Sequence, residues 1–271
     1  MLSKLMKYDF KATSKFFVPC SIFILLYSCV ATLFFNFSTI ADKMDGSISF
    51  TLLITLLTVF YAGILIAYVL GTYAISIVHF YKSMVTDQGY LTHTLPVKKS
   101  KIILGKFLTA NILCLIGAII TGVSAIIYFD VPSLLSSLNL DFAKMWSTIY
   151  PEIGPVGIIL TIISCFLGFM TKIAMFYLAI ALGQLVNKHK ALGSILFFFA
   201  LLFVYQIIAT FFGFFFVDSS AKILYENGSR FFSTPGAYTL TMLLGIVSSI
   251  VVTAIQLFIT HFIFQKKLNL D

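Results

Sequence analysis

Six long apolar stretches dominate this chain, and each is long enough to cross a lipid bilayer. They cover residues 16–37, 48–80, 102–128, 155–187, 191–217 and 237–265. A spanning α-helix needs about 20 consecutive apolar residues. Because the hydrocarbon interior offers backbone polar groups no water, such stretches are stable there only as helices that satisfy their own hydrogen bonds. The sequence therefore predicts an all-α integral membrane protein with six transmembrane helices.

The overall composition excludes most soluble classes of protein. The chain has 271 residues, of which 60% are hydrophobic and only 10% are charged, whereas a soluble domain is about half apolar and a quarter charged. These numbers argue against a soluble enzyme, a secreted disulfide domain and a DNA-binding protein. The four cysteines lie in apolar stretches without a C-x-x-C pair, so we expect free thiols at Cys20, Cys29, Cys114 and Cys165.

The distribution of charge predicts the topology. With both termini in the cytoplasm, the inner segments carry thirteen lysines and three acids, and the outer segments carry four basic and seven acidic residues. This asymmetry is the positive-inside pattern of a plasma-membrane protein. The formal net charge of +8 therefore needs no nucleic acid partner to explain it.

The remaining cation, Lys172, lies inside the fourth span. A charged side chain near the middle of a membrane span costs at least about 3 kcal/mol unless water or a partner compensates the charge. Three explanations stay open: contact with an anionic group of a ligand, pairing with an acid, or extension of the side chain to the membrane interface.

The first 15 residues form an amphipathic pattern. At 100° per residue, four lysines share one stripe, and apolar residues occupy the opposite side, interrupted by Asp9. The lysines are Lys4, Lys7, Lys11 and Lys15, and the opposite side holds Leu2, Leu5, Met6, Thr13 and Phe16. The pattern predicts a helix of residues 1–15 on the cytoplasmic membrane surface. The alternative is a basic anchor for the first span.

Two outer segments complete the predicted organisation. Residues 133–149 have apolar side chains at helical spacing and, with Trp146 and Tyr150, predict an interfacial helix. The turn signals Asn227-Gly228 and Pro235-Gly236 predict an outer loop over 218–236.

The motifs of catalysis are absent from the sequence. It contains no G-x-x-x-x-G-K-[ST], no H-E-x-x-H and no G-x-S-x-G. The spans contain almost no carboxylates, and no two histidines share a helix at a spacing of three or four residues. We therefore expect neither an enzyme nor a metal site, and no cofactor in this chain.

The cytoplasmic segment 81–101 between the second and third stretches is unusually apolar for a loop. It mixes Tyr90, Leu91 and Leu95 with turn residues, and Pro96 precedes a basic cluster. An exposed apolar patch at a membrane boundary is typical of a protein contact. The alternative is packing of the segment against its own helices.

Two cytoplasmic segments carry a resemblance to a known family. The run from Tyr81-Lys82 through Gly89-Tyr90-Leu91-Thr92-x-Thr94-Leu95-Pro96-Val97 resembles the first cytoplasmic loop of a small six-span group in the ABC type 2 transporter permease family, common in low-GC Gram-positive bacteria. The run Gly183-Gln184-Leu185-x-x-Lys188-His189-Lys190-x-x-Gly193-Ser194 resembles the second loop. Gln88 stands where an acidic residue is expected.

The resemblance implies an ABC type 2 exporter permease architecture over a single domain, residues 1–271. Such permeases form a homodimer, or a heterodimer with a related permease, and bind two copies of a separate ATP-binding subunit that holds ATP and Mg. Within the 81–101 coupling loop, the part from Thr86 to Pro96 would form the coupling helix, and residues 1–15 the connecting helix beside it. The ATPase-coupling residues implied are Asp87, Gln88, Gly89, Tyr90, Leu91, Thr92, Leu95, Pro96, Lys188 and His189.

The resemblance also implies a central cavity lined by the second and fifth helices, whose hydroxyl and aromatic side chains suit a hydrophobic or amphipathic cargo better than an ion. The candidate cavity residues are Thr55, Thr58, Tyr61, Tyr68, Lys172, Tyr205, Phe211 and Phe212. The implied cargo is a peptide toxin, an antimicrobial peptide or a drug, moved out of the cell. Ordinary helix packing is the alternative for these residues. An ion or lipid-linked glycan cargo, or a non-transporting anchor, immunity or sensor subunit, also stays open.

Overall fold

The computed structural model describes residues 2–41, 48–86, 89, 98–129, 142–186, 189–227 and 235–266. Their side chains are described except at positions 2, 34–51, 54, 142–153, 212–238 and 266. The gaps fall between the long helices and at the two chain ends.

Six long helices make up the described chain. They are α1 (Leu2–Ala41), α2 (Ile48–Met84), α3 (Lys99–Phe129), α4 (Phe142–Gly183), α5 (Lys190–Asn227) and α6 (Pro235–Lys266). Each contains a segment of at least 22 residues that is long and apolar enough to cross a membrane. The prediction of an all-helical protein with six candidate membrane spans is confirmed.

The chain divides into two compact units, with boundaries inside α2 and α3. Unit 1 comprises Met1–His79 and Leu108–Phe142, and unit 2 comprises Phe80–Phe107 and Ala143–Asp271. Unit 1 therefore contains α1 with most of α2 and α3. Unit 2 contains α4, α5 and α6 together with the ends of α2 and α3 that border the 81–101 segment.

Interdigitating aromatic and aliphatic side chains hold unit 1 together. Phe17 and Ile24 of α1 pack with Tyr68 of α2 and Leu113 of α3 in a buried cluster. The Tyr68 hydroxyl also shares a hydrogen bond of 2.8 Å with the Ser21 hydroxyl. Lipid tails are as apolar as these side chains, so close packing and interhelical hydrogen bonds stabilise such contacts in a bilayer.

Unit 2 has the same kind of contacts between α4 and its neighbours. The Thr171 hydroxyl on α4 lies 3.0 Å from the Thr253 hydroxyl on α6. Phe176 of α4 stacks on Phe198 of α5, with ring centroids 4.3 Å apart. These contacts tie α5 and α6 to different parts of the α4 surface.

A glycine divides α4 into two helical segments. Gly154 has φ 68° and ψ 167°, a backbone conformation that glycine adopts far more readily than other residues. The break separates residues 142–153 from the apolar span Gly154–Gly183. The predicted outer helix 133–149 is therefore seen in part, as a distinct helical segment before the fourth span, while residues 133–141 lie outside the described chain.

Two helices extend beyond the predicted boundaries. Residues 1–15 were predicted as an amphipathic helix on the membrane surface; residues 2–15 are helical, and α1 runs without a break from Leu2 to Ala41. No glycine lies within α1, and the helix continues through its proline, Pro19. The predicted outer loop 218–236 is helical through Asn227. Polar residues end a membrane span without ending a helix, since only glycine, proline or a cap residue favours termination.

Candidate functional site

The residues that flank the 81–101 segment lie on a buried aromatic cluster in unit 2. The ring of Phe80, at the end of α2, stacks on Tyr177 of α4 with centroids 3.6 Å apart. Phe264 of α6 meets Phe80 edge-on at 5.9 Å, and Phe107 of α3 meets Tyr177 at 6.3 Å. Stacked and edge-to-face pairs of this kind are favourable beyond the area they bury. The cluster therefore joins four helices beside the segment.

Hydrogen bonds fix the other end of the same segment. The Tyr177 hydroxyl donates to the backbone oxygen of Lys106 at 3.2 Å. The Lys99 ammonium donates to the backbone oxygen of Phe264 at 3.1 Å. Phe264 is near the end of α6, where carbonyl groups favour a cation. Both ends of the 81–101 segment are thus attached to α4 and α6.

Gly89 is the described residue closest to the middle of that segment. Its amide donates to the backbone oxygen of Thr86 at 2.6 Å. A Cβ at Gly89 would lie 2.7 Å from the Met84 carbonyl oxygen, so any larger residue forces the backbone to shift. The close turn explains why this position needs a glycine.

Most of the predicted coupling residues lie outside the described chain. These are Asp87, Gln88, Tyr90, Leu91, Thr92, Leu95, Pro96 and Lys188. His189 is exposed, and its backbone oxygen accepts a hydrogen bond of 2.8 Å from the Gly193 amide in the first turn of α5. It therefore lies at the start of α5, next to the α4–α5 turn.

The α4–α5 turn itself is tightly packed. A Cβ at Gly183 would lie 2.5 Å from the Ser194 amide nitrogen and 2.7 Å from its Cα. The two helices therefore approach backbone to backbone at this point, which a glycine at the end of α4 allows.

In unit 1, the predicted cavity residues of α2 are mostly used in packing. Tyr61 is buried, stacks on Tyr128 at 3.8 Å and shares a hydrogen bond of 2.9 Å with the Ser124 hydroxyl. Tyr128 donates to the Thr58 hydroxyl at 3.2 Å. Tyr68 belongs to the buried cluster with Phe17 and Ile24. Of the four predicted α2 residues, Thr55 alone is exposed. Within unit 1, packing accounts for the other three.

In unit 2, a groove of about 630 Å³ opens between α4, α5 and α6. Its lining is mostly apolar and includes Thr171, Tyr205, Ile208, Leu244, Gly245 and Ser248. The volume is within the range of sites for drug-sized ligands. Ile208 and Leu244 are exposed, so the groove faces the surface that lipid would cover.

Lys172 and Tyr205, two predicted cavity residues, meet beside this groove. The Lys172 ammonium lies 5.0 Å from the centroid of the Tyr205 ring, within the range of a cation–π interaction. Phe211 is further along α5 and 69% exposed, and the side chain of Phe212 is outside the described residues. Sequence reasoning missed the contribution of α6, although Thr241, Gly245 and Ser248 share one helical face through their spacing of four and three residues.

A second polar contact was also missed. His79 Nε2 on α2 lies 2.9 Å from Asp9 Oδ1 on α1. An ionised carboxylate only accepts hydrogen bonds, so the ring nitrogen donates. Asp9 is therefore buried against a partner and does not merely interrupt an apolar face. Its position in an otherwise apolar stripe was the available signal.

Among the described residues, no three His, Cys, Asp or Glu side chains are grouped so as to hold a metal ion. The four cysteines are free thiols in the described structure, as predicted. The arrangement of unit 2 suits non-covalent binding of an apolar ligand near a single cation.

The described part of the chain thus has six helices suited to cross a membrane and a groove at its apolar surface. The two ends of the 81–101 segment, which connects α2 and α3, contact α4 and α6. No protein-family model matches the chain, and no match was found among curated proteins or solved structures.

Proposed function

We propose that the chain is the membrane-spanning permease subunit of an ATP-driven exporter resembling the ABC type 2 transporter permeases. A separate ATP-binding subunit, present in two copies, hydrolyses ATP with Mg and docks on the 81–101 segment. Two permease protomers pair in the bacterial plasma membrane, with both termini in the cytoplasm. Closure of the ATP-binding subunits moves the docked segments and thereby switches access to the cargo site.

The observation that carries this proposal is the attachment of the 81–101 segment at both ends. Phe80 packs on Tyr177 just before the segment, and Lys99, near the end of the segment, binds the Phe264 carbonyl. A displacement of the segment is therefore expected to reach α4 and α6 through these direct contacts. The same two helices form walls of the groove, so the proposed docking site is linked mechanically to the proposed cargo site.

The groove favours a hydrophobic or amphipathic cargo such as a peptide or drug. Its described lining is apolar with scattered hydroxyl groups and contains no carboxylate. A desolvated cation needs carboxylates or ordered carbonyl groups, so this lining suits an inorganic cation poorly.

Co-purification tests the proposed partnership. The tagged full chain, solubilised from its own cells, is expected to retain an ABC-type ATPase identified by mass spectrometry. The double variant Tyr90→Asp with Leu91→Asp should lower the recovered ATPase about tenfold or more, because two apolar anchors of the interface become charged. Gly89 is left unchanged, since its substitution alone would distort the turn.

A matched control carries the same chemical change on a predicted outer segment, Leu134→Asp with Leu135→Asp. It should retain the ATPase at the wild-type level. Absence of any ATPase from the wild-type preparation would remove the energy source and favour an anchor or immunity subunit. Equal loss in both double variants would contradict a specific docking role for the 81–101 segment.

A further inference from the structure

The cation beside the unit 2 groove has an unusual environment. Lys172 is exposed on α4 and, among the described residues, makes no ion pair. It lies about 16 Å along the helix axis from Gly183, the nearer end of the span. A lysine side chain leans toward the N-terminus of its helix, which here leads away from Gly183. The contact with Tyr205 therefore keeps the ammonium within the membrane-spanning part of unit 2.

The polar groups around the groove differ in what they offer a ligand. The hydroxyls of Thr171 and Ser248 donate to backbone oxygens of their own helices at 2.9 Å each. A hydroxyl has one hydrogen to donate, so these groups present little donor capacity to the groove. The Tyr205 hydroxyl makes no hydrogen bond to a described residue. Lys172 and Tyr205 thus offer a ligand one charged and one neutral donor at this site.

From this arrangement we propose that the unit 2 groove binds an anionic single-chain amphiphile, with its carboxylate at Lys172 and Tyr205 and its apolar chain in the groove. A carboxylate accepts hydrogen bonds from both donors and neutralises the ammonium where an uncompensated charge is costly. The exposed apolar walls accept a chain that enters from the bilayer. Charge complementarity selects an anionic head over a neutral or cationic one.

That the amphiphile is the exported cargo rests on the proposed function. That the groove binds it rests on the contacts within unit 2 alone. Binding is therefore measured without the ATP-binding subunit. The purified full chain in detergent is titrated with radiolabelled palmitate, and unlabelled palmitate, hexadecanol and hexadecyltrimethylammonium compete for the site. Palmitate should compete about tenfold better than hexadecanol, since the alcohol lacks the charge that Lys172 complements.

Four variants distinguish binding of the carboxylate head at Lys172 and Tyr205 from binding of the apolar chain in the groove. Lys172→Met should weaken palmitate binding about tenfold and abolish the preference over hexadecanol, while Lys172→Arg should retain both. Tyr205→Phe keeps the ring under the ammonium but removes a donor, so a smaller loss is expected. Gly245→Leu should block the groove, because a Cβ there has nothing within 4 Å and the side chain can extend into the lining.

Gly63→Leu is the matched control. This residue lies on α2 in unit 1 and is exposed, and a Cβ at this position would likewise have nothing within 4 Å. The substitution should leave palmitate binding unchanged. Each variant is first compared with the wild type by size-exclusion elution, so that a folding failure is recognised.

Three outcomes would overturn the proposal. The first is equal competition by hexadecanol and palmitate in the wild type, and the second is unchanged palmitate affinity in folded Lys172→Met and Gly245→Leu. The third is conversion of a dimer to a monomer by Gly245→Leu, which would identify the groove as an interface between copies. Specific palmitate binding by a protein that retains no ATPase would support the site and contradict the transport function.

Discussion

Gly183→Val is expected to lower the midpoint of thermal unfolding by about 6 to 12 °C. The new Cβ would lie 2.5 Å from the Ser194 amide nitrogen, so the first turn of α5 must move away from α4. Such overpacking costs about 3 kcal/mol, and each kcal/mol shifts the midpoint by about 2 to 4 °C for domains of a few hundred residues. The measurement is the fraction of detergent-solubilised protein that remains monodisperse after heating.

Gly168→Val on the same helix is the matched control. A Cβ at Gly168 has nothing within 4 Å, so the control makes the same substitution on α4 without introducing a collision. The control should unfold within about 2 °C of the wild type. An equal loss of stability in the two variants would show that the close approach of α4 and α5 is not the cause.

Tyr177→Ala is expected to have an effect of similar size and to disturb the 81–101 segment as well. Tyr177 is only 1% exposed and stacks on Phe80, three residues before Ser83 in the last turn of α2. Removal of a buried aromatic ring costs about 3 kcal/mol, here mainly as lost packing because lipid is itself apolar. The unfolding midpoint should fall, and limited proteolysis should cut the segment faster than in the wild type.

Tyr177→Phe separates the ring from its hydroxyl. This variant keeps the ring and loses the hydrogen bond to the Lys106 carbonyl, so a cost of about 1 kcal/mol is expected. Its proteolysis rate should remain near that of the wild type. If Tyr177→Ala were cleaved at the wild-type rate, the aromatic cluster would not be what holds the segment in place.

The six helices suited to cross a membrane were predictable because a long apolar stretch is recognised from the local sequence alone. An apolar stretch in a bilayer must be helical, and the predicted spans 102–128 and 237–265 fall within a few residues of Lys99–Phe129 and Pro235–Lys266. The ends of α1 and α5 were less predictable. Hydropathy reports where a helix leaves the membrane, but α5 continues to Asn227 because no helix-ending residue intervenes.

The sequence identified residues of the candidate site but not the contacts that these residues make. Lys172 stands out because a charge inside a span is rare. Its contact with Tyr205 depends on how α4 and α5 align, which no local pattern encodes. The pairing of Asp9 with His79 joins residues 70 positions apart, and it was missed for the same reason. The contribution of α6 to the groove could be recognised only once the helices that pack against α6 were known.

Packing also changed the interpretation of α2. The hydroxyl and aromatic residues of this helix are compatible with a cavity when only their spacing is known. Tyr61 and Tyr68 instead make hydrogen bonds to Ser124 and Ser21 within unit 1. A buried hydroxyl must find a partner wherever it lies, so polar periodicity in a span does not by itself identify a ligand site.

The central claim is that the 81–101 segment contacts an ATP-binding subunit, and photo-crosslinking in intact cells tests it most directly. A benzoylphenylalanine in place of Tyr90 is expected to form an adduct with an ABC-type ATPase on irradiation. The same group in place of Trp146, on the predicted outer side, should form none. Absence of an ATPase adduct at position 90, or equal adducts at both positions, would contradict the account.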